Sequence, residues 1–377
     1  MDICMEQYDV IIVGAGPGGS TAAKKCSERG LKTLIIDKAI FPRYKPCGGA
    51  LSLHTINLLD FEISHELIEN ECTGIRVYYR EKTSTYEKWD RIAVMVSREK
   101  FDNILYERAK KAGCISLMGE RVISLENSGD YIKVNTERGS YFGSFIIGAD
   151  GAHSIVSNFL NGGNKGYLSA MAVITEIKNR ETVYDKKILN FYFGEVYGGY
   201  AWIFNHGIYL SVGMWGTQWI DSTPLNSMKR FLNLHNLSTD HIRGYKMPLW
   251  DRRRKIYSDK VLLIGDAAGF IDSFNGEGIF HALLSGKIAA ESIADALKNR
   301  KSSGDNYKRG CSHILSNLRY SMYFSRLIYR FPEVFLKKLI SDRGFIHRYI
   351  DDLILNKTSY RDYIGRLIKD NGVLHNK

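Results

Sequence analysis

Apolar runs that end on glycine or aspartate recur along the chain and predict buried parallel strands. Residues 8–13 lead directly into a glycine-rich turn, and residues 34–36 end on the carboxylate of Asp37. Residues 145–147 and 261–264 are further short apolar strands, followed by Asp-Gly or Gly-Asp turns. Strands of this kind, separated by helical segments, indicate an α/β fold with a Rossmann-like sheet.

A second group of segments has apolar residues at alternate positions and predicts antiparallel strands. These segments are residues 170–177, 188–193 and 207–213, and aromatic side chains recur on them. The spacing of residues 97–112, with the first serine as a cap, and of residues 279–297 predicts helices. The sequence therefore predicts an antiparallel sheet beside the Rossmann-like one.

The two groups of segments interleave along the chain and predict a discontinuous domain organisation. The Rossmann-like, nucleotide-binding part comprises residues 1–50, 96–156 and 256–300. The antiparallel, substrate-binding part comprises residues 51–95 and 157–255. Residues 301–377 are expected to form a basic, helical C-terminal region.

The first turn has the spacing Gly-x-Gly-x-x-Gly at Gly14, Gly16 and Gly19. In such a turn the three glycines permit a tight bend, the approach of a pyrophosphate and close packing of the following helix. The helix N-terminus faces the phosphates, and Asp37 lies about where a ribose hydroxyl needs an acceptor. The turn therefore predicts a bound dinucleotide.

Composition fits a globular enzyme of 377 residues, with 44% hydrophobic and 25% charged residues. No apolar run approaches the roughly 18 residues that a membrane-spanning helix needs. Residues 1–7 lack the apolar stretch of a signal peptide, so a cytoplasmic location is expected. The cysteines lack Cys-x-x-Cys spacing, which argues against a zinc site or a dithiol centre and predicts no metal; they are residues 4, 26, 47, 72, 114 and 311.

The net charge of +11 is concentrated at the C-terminal end, because residues 301–377 carry 15 Lys or Arg against 7 Asp or Glu. Residues 318–330 and 334–340 have the pattern of basic amphipathic helices, which is typical of contact with an anionic membrane surface. The alternative is a solvated basic face on helices that pack onto the body of the protein. No recognisable motif supports nucleic-acid binding.

The four α/β segments, in this order, resemble the flavoprotein superfamily typified by para-hydroxybenzoate hydroxylase, over about 300 residues. The resemblance implies that FAD is the cofactor. It further implies that Asp37 holds the FAD adenosine, that Arg98 contacts FAD, and that Asp266 meets its ribityl and pyrophosphate region. The helix after Gly278 would direct its positive end at the flavin, where reduction places negative charge.

A narrower signature, Pro42-x-x-x-x-Cys47-Gly48-Gly49, resembles the geranylgeranyl reductase family, whose members saturate isoprenoid double bonds. The segment Tyr200-x-Trp202-x-Phe204 resembles that family's substrate motif. The chain then departs from the pattern, since Asn205 replaces the usual proline and Gly213-Met214-Trp215 replaces Gly-x-Gly. These departures leave the fold and the cofactor unaffected but put the chain length and head group of the substrate in question.

The resemblance implies two sets of site residues. The expected FAD contacts are Gly14, Gly16, Gly19, Ser20, Asp37, Cys47, Gly48, Ala50, Arg98, Val122, Asp266, Gly269, Gly278 and Ile279. The expected substrate contacts are Tyr200, Trp202, Phe204, Tyr209 and Gly213.

The expected reaction adds hydride from reduced FAD to one alkene carbon and a proton to the other. Cys47 is the leading residue for proton supply or alkene positioning, because a thiol has a reference pKa of about 8.5 and is largely protonated at neutral pH. His281 and Tyr209 are weaker choices, with structural roles expected. The sequence has no second glycine-rich nucleotide turn, so the electron donor is left between NADPH and a ferredoxin.

Three other functions share parts of this pattern. An FAD-dependent hydroxylase or halogenase would use the same cofactor frame on an apolar substrate. A quinone-tail reductase would differ only in substrate. A flavin-free lipid escort, similar to prenyl-binding GDP dissociation inhibitors, would have a related frame, but Asp37, Arg98 and Asp266 argue against it.

Overall fold

A computed structural model describes residues 6–179, 183–341 and 359–370. Within them the strands are, in chain order, β1 (Gln7–Val13), β2 (Thr33–Asp37), β3 (Ala50–Ser52), β4 (Ile68–Cys72), β5 (Gly74–Tyr79), β6 (Lys82–Glu87), β7 (Ala93–Val96), β8 (Ile115–Met118), β9 (Val122–Ser128), β10 (Tyr131–Thr136), β11 (Ser140–Gly148), β12 (Ser169–Lys178), β13 (Ile188–Phe193), β14 (Tyr200–Asn205), β15 (Tyr209–Gly216), β16 (Arg243–Pro248) and β17 (Val261–Leu263). The helices are α1 (Pro17–Ser27), α2 (Leu53–Asn57), α3 (Arg98–Lys111), α4 (Ile155–Asn161), α5 (Pro224–Leu234), α6 (Gly265–Ala268), α7 (Ile279–Asn299), α8 (Ser303–Gly310), α9 (Ser312–Arg330), α10 (Pro332–Ser341) and α11 (Tyr360–Asp370).

The first sheet has the order β8-β2-β1-β11-β10-β9, with β17 paired to β11. Its centre is parallel, since β1 pairs in parallel with β2 and β11, and β11 pairs in parallel with β17. Residues 10–13 and 34–36 are buried because helices cover both faces of such a sheet. The predicted Rossmann-like α/β fold is confirmed.

Close glycine contacts bring α1 and α7 together beneath this sheet. A Cβ atom at Gly18 would lie 2.8 Å from the carbonyl oxygen of Ala282, and one at Gly286 would lie 2.5 Å from that of Gly18. Side chains at either glycine would separate the two helices, so their absence fixes α7 against the start of α1. The N-termini of both helices consequently approach the same region.

The second sheet has the order β16-β12-β15-β14-β13-β5-β6. The three segments predicted from residues 170–177, 188–193 and 207–213 form β12, β13 and β15, with β15 starting at Tyr209. The pairs are antiparallel except for β13 and β5, which run parallel from Ile188 opposite Gly74 to Phe193 opposite Tyr79. The sheet is therefore mixed at that pair, because the chain reaches β13 by a long crossover from β5.

A small third sheet of order β3-β7-β4 connects the two larger ones. Its strand β3 follows the Cys-Gly-Gly segment, and β7 leads into α3. Ser97 is the N-cap residue of α3, as predicted, although its side chain makes no capping hydrogen bond. This sheet thus carries residues 47–52 to the boundary between the two main sheets.

The C-terminal helices pack on the second sheet through apolar side chains. Phe324 and Ile328 of α9 are buried, and the ring of Phe324 lies 4.9 Å from that of Phe274. None of the described helices is long and apolar enough to cross a membrane. Residues 342–358 and 371–377 of the predicted basic region, and some side chains of α10 and α11, lie outside the described residues.

Candidate active site

A cavity of about 310 Å³ lies between the first and second sheets. We call one part of it the polar end, which is lined by Gly16, Pro17, Gly18, Gly19, Lys45, Arg98, Gly265, Asp266, Gly278 and Ile279. We call the other part the aromatic end, which is lined by Ile75, Val77, Leu189, Phe191, Phe193, Tyr200, Trp202, Phe204, Trp215 and Met247. Cys47 and Gly48 also line the cavity.

The glycine turn after β1 is built from contacts that exclude side chains. Gly14 has a φ of +102°, and a Cβ there would lie 2.4 Å from the carbonyl oxygen of Ala149. A Cβ at Gly19 would lie 1.8 Å from the carbonyl oxygen of Gly14. At Gly16, in contrast, the nearest atom to a Cβ would be Nη2 of Arg43 at 3.8 Å, an ordinary van der Waals contact that crowds nothing. The three glycines, which are predicted to permit a tight bend, the approach of a pyrophosphate and close helix packing, thus have different surroundings.

Asp37 at the end of β2 holds the glycine turn from the side. Its Oδ2 accepts a hydrogen bond of 2.6 Å from the Ala15 backbone N–H, and its Oδ1 accepts one of 2.8 Å from that of Ala39. Ser20 is buried and donates to the carbonyl oxygen of Ala15 at 2.8 Å. Each carboxylate oxygen has a second lone pair, so Asp37 retains acceptor capacity for a ribose hydroxyl.

Arg98 lies buried at the polar end in a network of charges. Its Nε and Nη2 donate to the two carboxylate oxygens of Asp102 at 2.8 Å, and Arg43 Nη2 lies 2.9 Å from Asp102 Oδ2. Burial alone would raise the pKa of Asp102, but the Arg98 guanidinium outweighs burial and the pKa is lowered. Arg98 also lies beside the Cys47 thiol. Nη1 of Arg43 is buried and has no hydrogen-bond partner among the described residues, which suits a group that faces a bound anion.

Asp266 lies at the polar end between two partners. The Tyr245 hydroxyl donates a hydrogen bond to its Oδ2, and Nζ of Lys45 lies 3.9 Å from the same oxygen. Burial, followed by the charge of Asp266, raises the pKa of Tyr245 well above its usual value, so the phenol is a firm donor. Burial lowers the pKa of Lys45. The ammonium of Lys45 is therefore destabilised, and a bound anion would stabilise it.

The Cys47-Gly48-Gly49 loop is held from behind by His206. Its Nε2 lies 3.0 Å from the carbonyl oxygen of Gly48, and its Nδ1 lies 2.6 Å from Oε2 of Glu69. Both neighbours are hydrogen-bond acceptors, so the ring connects the Gly48 backbone to the Glu69 carboxylate. Burial alone would raise the pKa of Glu69, but the hydrogen bonds from His206 and Tyr209 and the charges of His206 and Lys100 together lower it.

Edge-to-face ring contacts build the aromatic end. The ring centroid of Phe191 lies 5.1 Å from that of Tyr200 and 5.2 Å from that of Phe204. Tyr200 donates its hydroxyl to the carbonyl oxygen of Asn275 at 2.6 Å. A Cβ at Gly213 would lie 2.3 Å from the Trp202 ring, so this glycine allows Trp202 to lie flat on β15.

The predicted site residues fall into two groups in the structure. Those that line the cavity are Gly16, Gly19, Cys47, Gly48, Ala50, Arg98, Asp266, Gly278, Ile279, Tyr200, Trp202 and Phe204. Those that do not line it are Gly14, Ser20, Asp37, Val122, Gly269, Tyr209 and Gly213. Of the second group, Gly14, Ser20 and Asp37 support the glycine turn, whereas Val122 is buried in the core of the first sheet.

Tyr209, for which the sequence predicts a substrate contact, does not line the cavity in the structure. Its ring stacks on His206 at 4.4 Å, and its hydroxyl donates to Oε2 of Glu69 at 3.0 Å. His281 is likewise buried, with Nδ1 lying 3.3 Å from the carbonyl oxygen of Glu277, in agreement with the structural role expected for it. Both side chains position other groups.

Sequence reasoning missed His206, Lys45 and Glu277 as site residues. Lys45 lies inside the Cys-Gly-Gly signature, and Glu277 lies between two glycines ahead of α7, so both had a local signal. His206 follows the Asn205 that departs from the family pattern, and no spacing connects it to Gly48. Its role depends on a contact across 158 residues.

Comparison with known proteins agrees with this geometry. A family model described as an FAD binding domain matches residues 7–318. Over 316 residues the chain is 33% identical to geranylgeranyl diphosphate reductase of Rhodobacter capsulatus, which covers 78% of this chain and 77% of that protein. The chain belongs to the geranylgeranyl reductase family of FAD-dependent oxidoreductases.

A further relative is similar in sequence to this chain, and a solved structure has the same fold. Digeranylgeranylglycerophospholipid reductase of Methanocaldococcus jannaschii is 29% identical over 350 residues, covering 85% of this chain and 87% of the relative. The crystal structure of a geranylgeranyl bacteriochlorophyll reductase-like protein from Thermoplasma acidophilum superposes with a TM-score of 0.77 at 24% identity, over 94% of this chain and 93% of that one. The predicted family and cofactor class are confirmed.

The polar end fits FAD on its own geometry. Gly16 leaves space at the N-terminus of α1, whose first turn contains no acidic residue, as a pyrophosphate requires. Arg43 offers a buried nitrogen with no partner within the described part of the chain, and Asp266 offers a carboxylate for sugar hydroxyls. Gly278 is the N-cap of α7, whose first turn also has no acidic residue. The positive N-terminal end of α7 therefore suits the negative charge of a reduced flavin.

Proposed function

We propose that this protein saturates carbon–carbon double bonds of isoprenoid chains in membrane lipids or their precursors. The observation that carries the proposal is that one cavity joins a polar end suited to FAD with an aromatic end suited to a long apolar chain. Cys47 and Gly48 line this same cavity. The relatives named for geranylgeranyl diphosphate and digeranylgeranylglycerophospholipid reduction support this substrate class.

The residues of the polar end would hold the cofactor. The glycine turn and α1 would face the pyrophosphate, Asp37 and Asp266 would accept sugar hydroxyls, and Arg98 would contact the cofactor beside Cys47. When bound and reduced, FAD supplies a hydride. The N-terminus of α7 would favour the reduced, negatively charged form.

The residues of the aromatic end would orient the alkene and exclude water. Phe191, Trp202 and Phe204 present ring faces and edges but few polar groups to the cavity, so an apolar chain replaces water there at a gain in free energy. An isolated alkene accepts hydride poorly, and a dry site with the reacting atoms close together lowers that barrier. Cys47 would act at this position, in proton supply or in positioning the alkene.

The electron donor is proposed to be NADPH, docking transiently, or a ferredoxin. Supplying chemically reduced FAD removes this variable from the test of function. The anaerobic holoenzyme is given a geranylgeranyl lipid, a prenyl diphosphate or a prenylated quinone, and product masses are measured. A gain of two hydrogens per saturated bond supports the proposal, since a hydroxylase or halogenase stalls without oxygen. No gain with any of the three substrates contradicts it.

We also propose that α9 contacts an anionic membrane surface. Its solvent-exposed face interleaves arginines with apolar side chains, namely Arg319, Tyr323, Arg326, Leu327 and Arg330. Tyr323 is 51% exposed and Leu327 is 55% exposed, while the opposite face of the helix is buried. Such a face supports interfacial binding in which the arginines meet anionic head groups and the apolar side chains enter the acyl boundary.

Vesicle sedimentation tests this membrane contact. Each basic residue near an anionic surface contributes roughly 1 kcal/mol, so replacing Arg319, Arg326 and Arg330 by glutamine is expected to abolish binding to anionic vesicles at low salt. Wild-type binding is expected to weaken as salt rises. Equal recovery with neutral and anionic vesicles contradicts the proposal.

The matched control removes the same charge elsewhere on the surface. Lys82, Lys111 and Arg252 are exposed and lie outside α9. Their replacement by glutamine is expected to leave most vesicle binding intact. If this control loses as much binding as the α9 variant, total charge rather than the α9 face is responsible.

A further inference from the structure

Glu277 is an acid that lines the cavity and has no role in the reaction outlined above. It lies between Gly276 and Gly278, immediately before α7, and its half-buried side chain faces the cavity that Cys47 also lines. Tyr200 of the aromatic end lies near both Glu277 and Cys47, so the acid lies near the substrate region as well as the cofactor loop.

The hydrogen bonds of Glu277 within the described residues engage only one of its two carboxyl oxygens. The hydroxyls of Ser52 and Thr55 each donate to Oε1 at 3.0 Å. No hydrogen bond to Oε2 occurs among the described residues. A neutral carboxyl fits this pattern, because Oε1 accepts twice and the proton remains on Oε2, where it is available to a bound molecule.

The surroundings of Glu277 favour the protonated form. The pKa of Glu277 is raised to about 7: burial and the charge of Asp272 raise it by more than the hydroxyls of Thr55 and Ser52 lower it. No cation pairs with Glu277 among the described residues. At neutral pH the residue therefore holds a proton in a substantial fraction of molecules, in the range suited to a general acid.

The other titratable groups near Glu277 are already engaged. Asp272 accepts hydrogen bonds from two backbone N–H groups and from the hydroxyl of Ser321, and it is buried. His281 directs Nδ1 at the backbone carbonyl of Glu277. Lys45 and Arg98 line the same cavity but face Asp266 and Asp102. Among Glu277, Asp272, His281, Lys45 and Arg98, Glu277 is consequently the group best placed to donate a proton to a bound molecule.

We propose that Glu277 supplies the proton that completes reduction of the alkene; this inference rests on the proposed function. The alkene π bond breaks, one carbon receives the hydride, and the other forms a C–H bond with the proton of Glu277 Oε2. The O–H bond of Glu277 breaks to leave a carboxylate, which regains its proton from water. The Cys47 thiol, held beside Arg98, then serves to position the alkene.

Glu277→Gln tests this assignment, because its amide oxygen still accepts from Ser52 and Thr55 while the acidic proton is lost. With chemically reduced FAD and an isoprenoid lipid under anaerobic conditions, turnover is expected to fall by roughly 10²-fold, with FAD retained. Wild-type turnover is expected to decline as pH rises through about 7, because the acid form is required, and this decline is expected to vanish in the variant. Asp295→Asn, on the exposed face of α7, is the control and is expected to change neither.

Thr55→Val gives a second measurement that does not need the Glu277 variant to fold. Removing the Thr55 hydroxyl takes away a hydrogen bond that lowers the pKa of Glu277, so the decline in turnover is expected at higher pH. An unchanged pH profile in this variant, or wild-type turnover in Glu277→Gln, overturns the assignment. Failure of the proposed function is distinct, since wild-type enzyme would then give no mass gain with any isoprenoid substrate.

Discussion

The polar and aromatic ends of the cavity are defined by different kinds of atoms. At the polar end, backbone approaches that exclude even a methyl group set the geometry, as at Gly14 and Gly19. At the aromatic end, rings about 5 to 6 Å apart meet edge to face, as Phe191 does with Tyr200 and Phe204. The backbone atoms of the polar end suit one ligand in one position, whereas the rings of the aromatic end suit a long apolar chain in several positions.

This difference indicates how the two halves of the reaction are controlled. Backbone groups at the polar end cannot shift without breaking β1 or α1, so cofactor geometry is inseparable from the fold. Volume-conserving changes of side chains at the aromatic end cost little free energy, so the shape of this end can change without loss of the fold. The Cys47 loop also lines the cavity, so variants of the polar end, the Cys47 loop and its support have separate expected effects.

The largest effect is expected at Gly19. A Cβ there would lie 1.8 Å from the Gly14 carbonyl oxygen, so Gly19→Ala is expected to destabilise the protein by about 3 kcal/mol or more and to yield little folded protein. Gly16→Ala meets no such atom and is expected to fold but to retain less FAD. Denaturation curves and bound flavin measure both effects, with Gly139→Ala, in an open turn, as the control. Equal stability of the Gly16 and Gly19 variants would contradict this division.

The next effect is expected where the two ends meet. Cys47→Ala is expected to keep bound FAD, because the polar end is intact, and to slow alkene reduction by roughly 10²-fold. The measurement is single-turnover mass gain with reduced FAD. If Glu277 is the acid, the variant retains the wild-type dependence on pH. Normal turnover in this variant would make Cys47 a packing residue.

A smaller effect is expected for a change at Asp266. This change removes a side chain of the polar end and leaves its backbone in place. Asp266→Ala removes the acceptor of the Tyr245 hydroxyl and the partner of Lys45, so FAD affinity is expected to fall by roughly tenfold while the protein folds. Flavin titration by fluorescence measures the change. Asp295→Ala, remote from the cavity, serves as the control, and equal affinities in the two variants would remove Asp266 from the cofactor site.

The smallest effect is expected at His206, which positions the Cys47 loop from outside the cavity. His206→Gln loses one of the hydrogen bonds to Gly48 and Glu69, and turnover is expected to fall by roughly fivefold with substrate KM little changed. His206→Ala is expected to lose more, because it retains neither bond. A rise in KM alone would indicate that His206 acts on substrate binding and not on the loop.

Much of the polar end could be predicted from sequence because its determinants are local. Gly14, Gly16 and Gly19 lie within six positions, and the strand before them and the helix after them follow from the same short segment. Asp37 ends the next strand, where its carboxylate meets the turn, as the structure has it. The position of Tyr209 outside the cavity lining could not be read from the sequence, because alternation gives the face of a strand but not what covers that face.

Sequence alone determined the family, the Rossmann-like sheet, the glycine turn and the aromatic strands, since each depends on residues a few positions apart whose backbone preferences and periodicities act locally. Tertiary structure decided the rest. The parallel pairing of β13 with β5, the support of Gly48 by His206 across 158 residues and the direction of Glu277 into the cavity all depend on contacts between distant segments. Packing of the two sheets selects such contacts, and no local propensity encodes them.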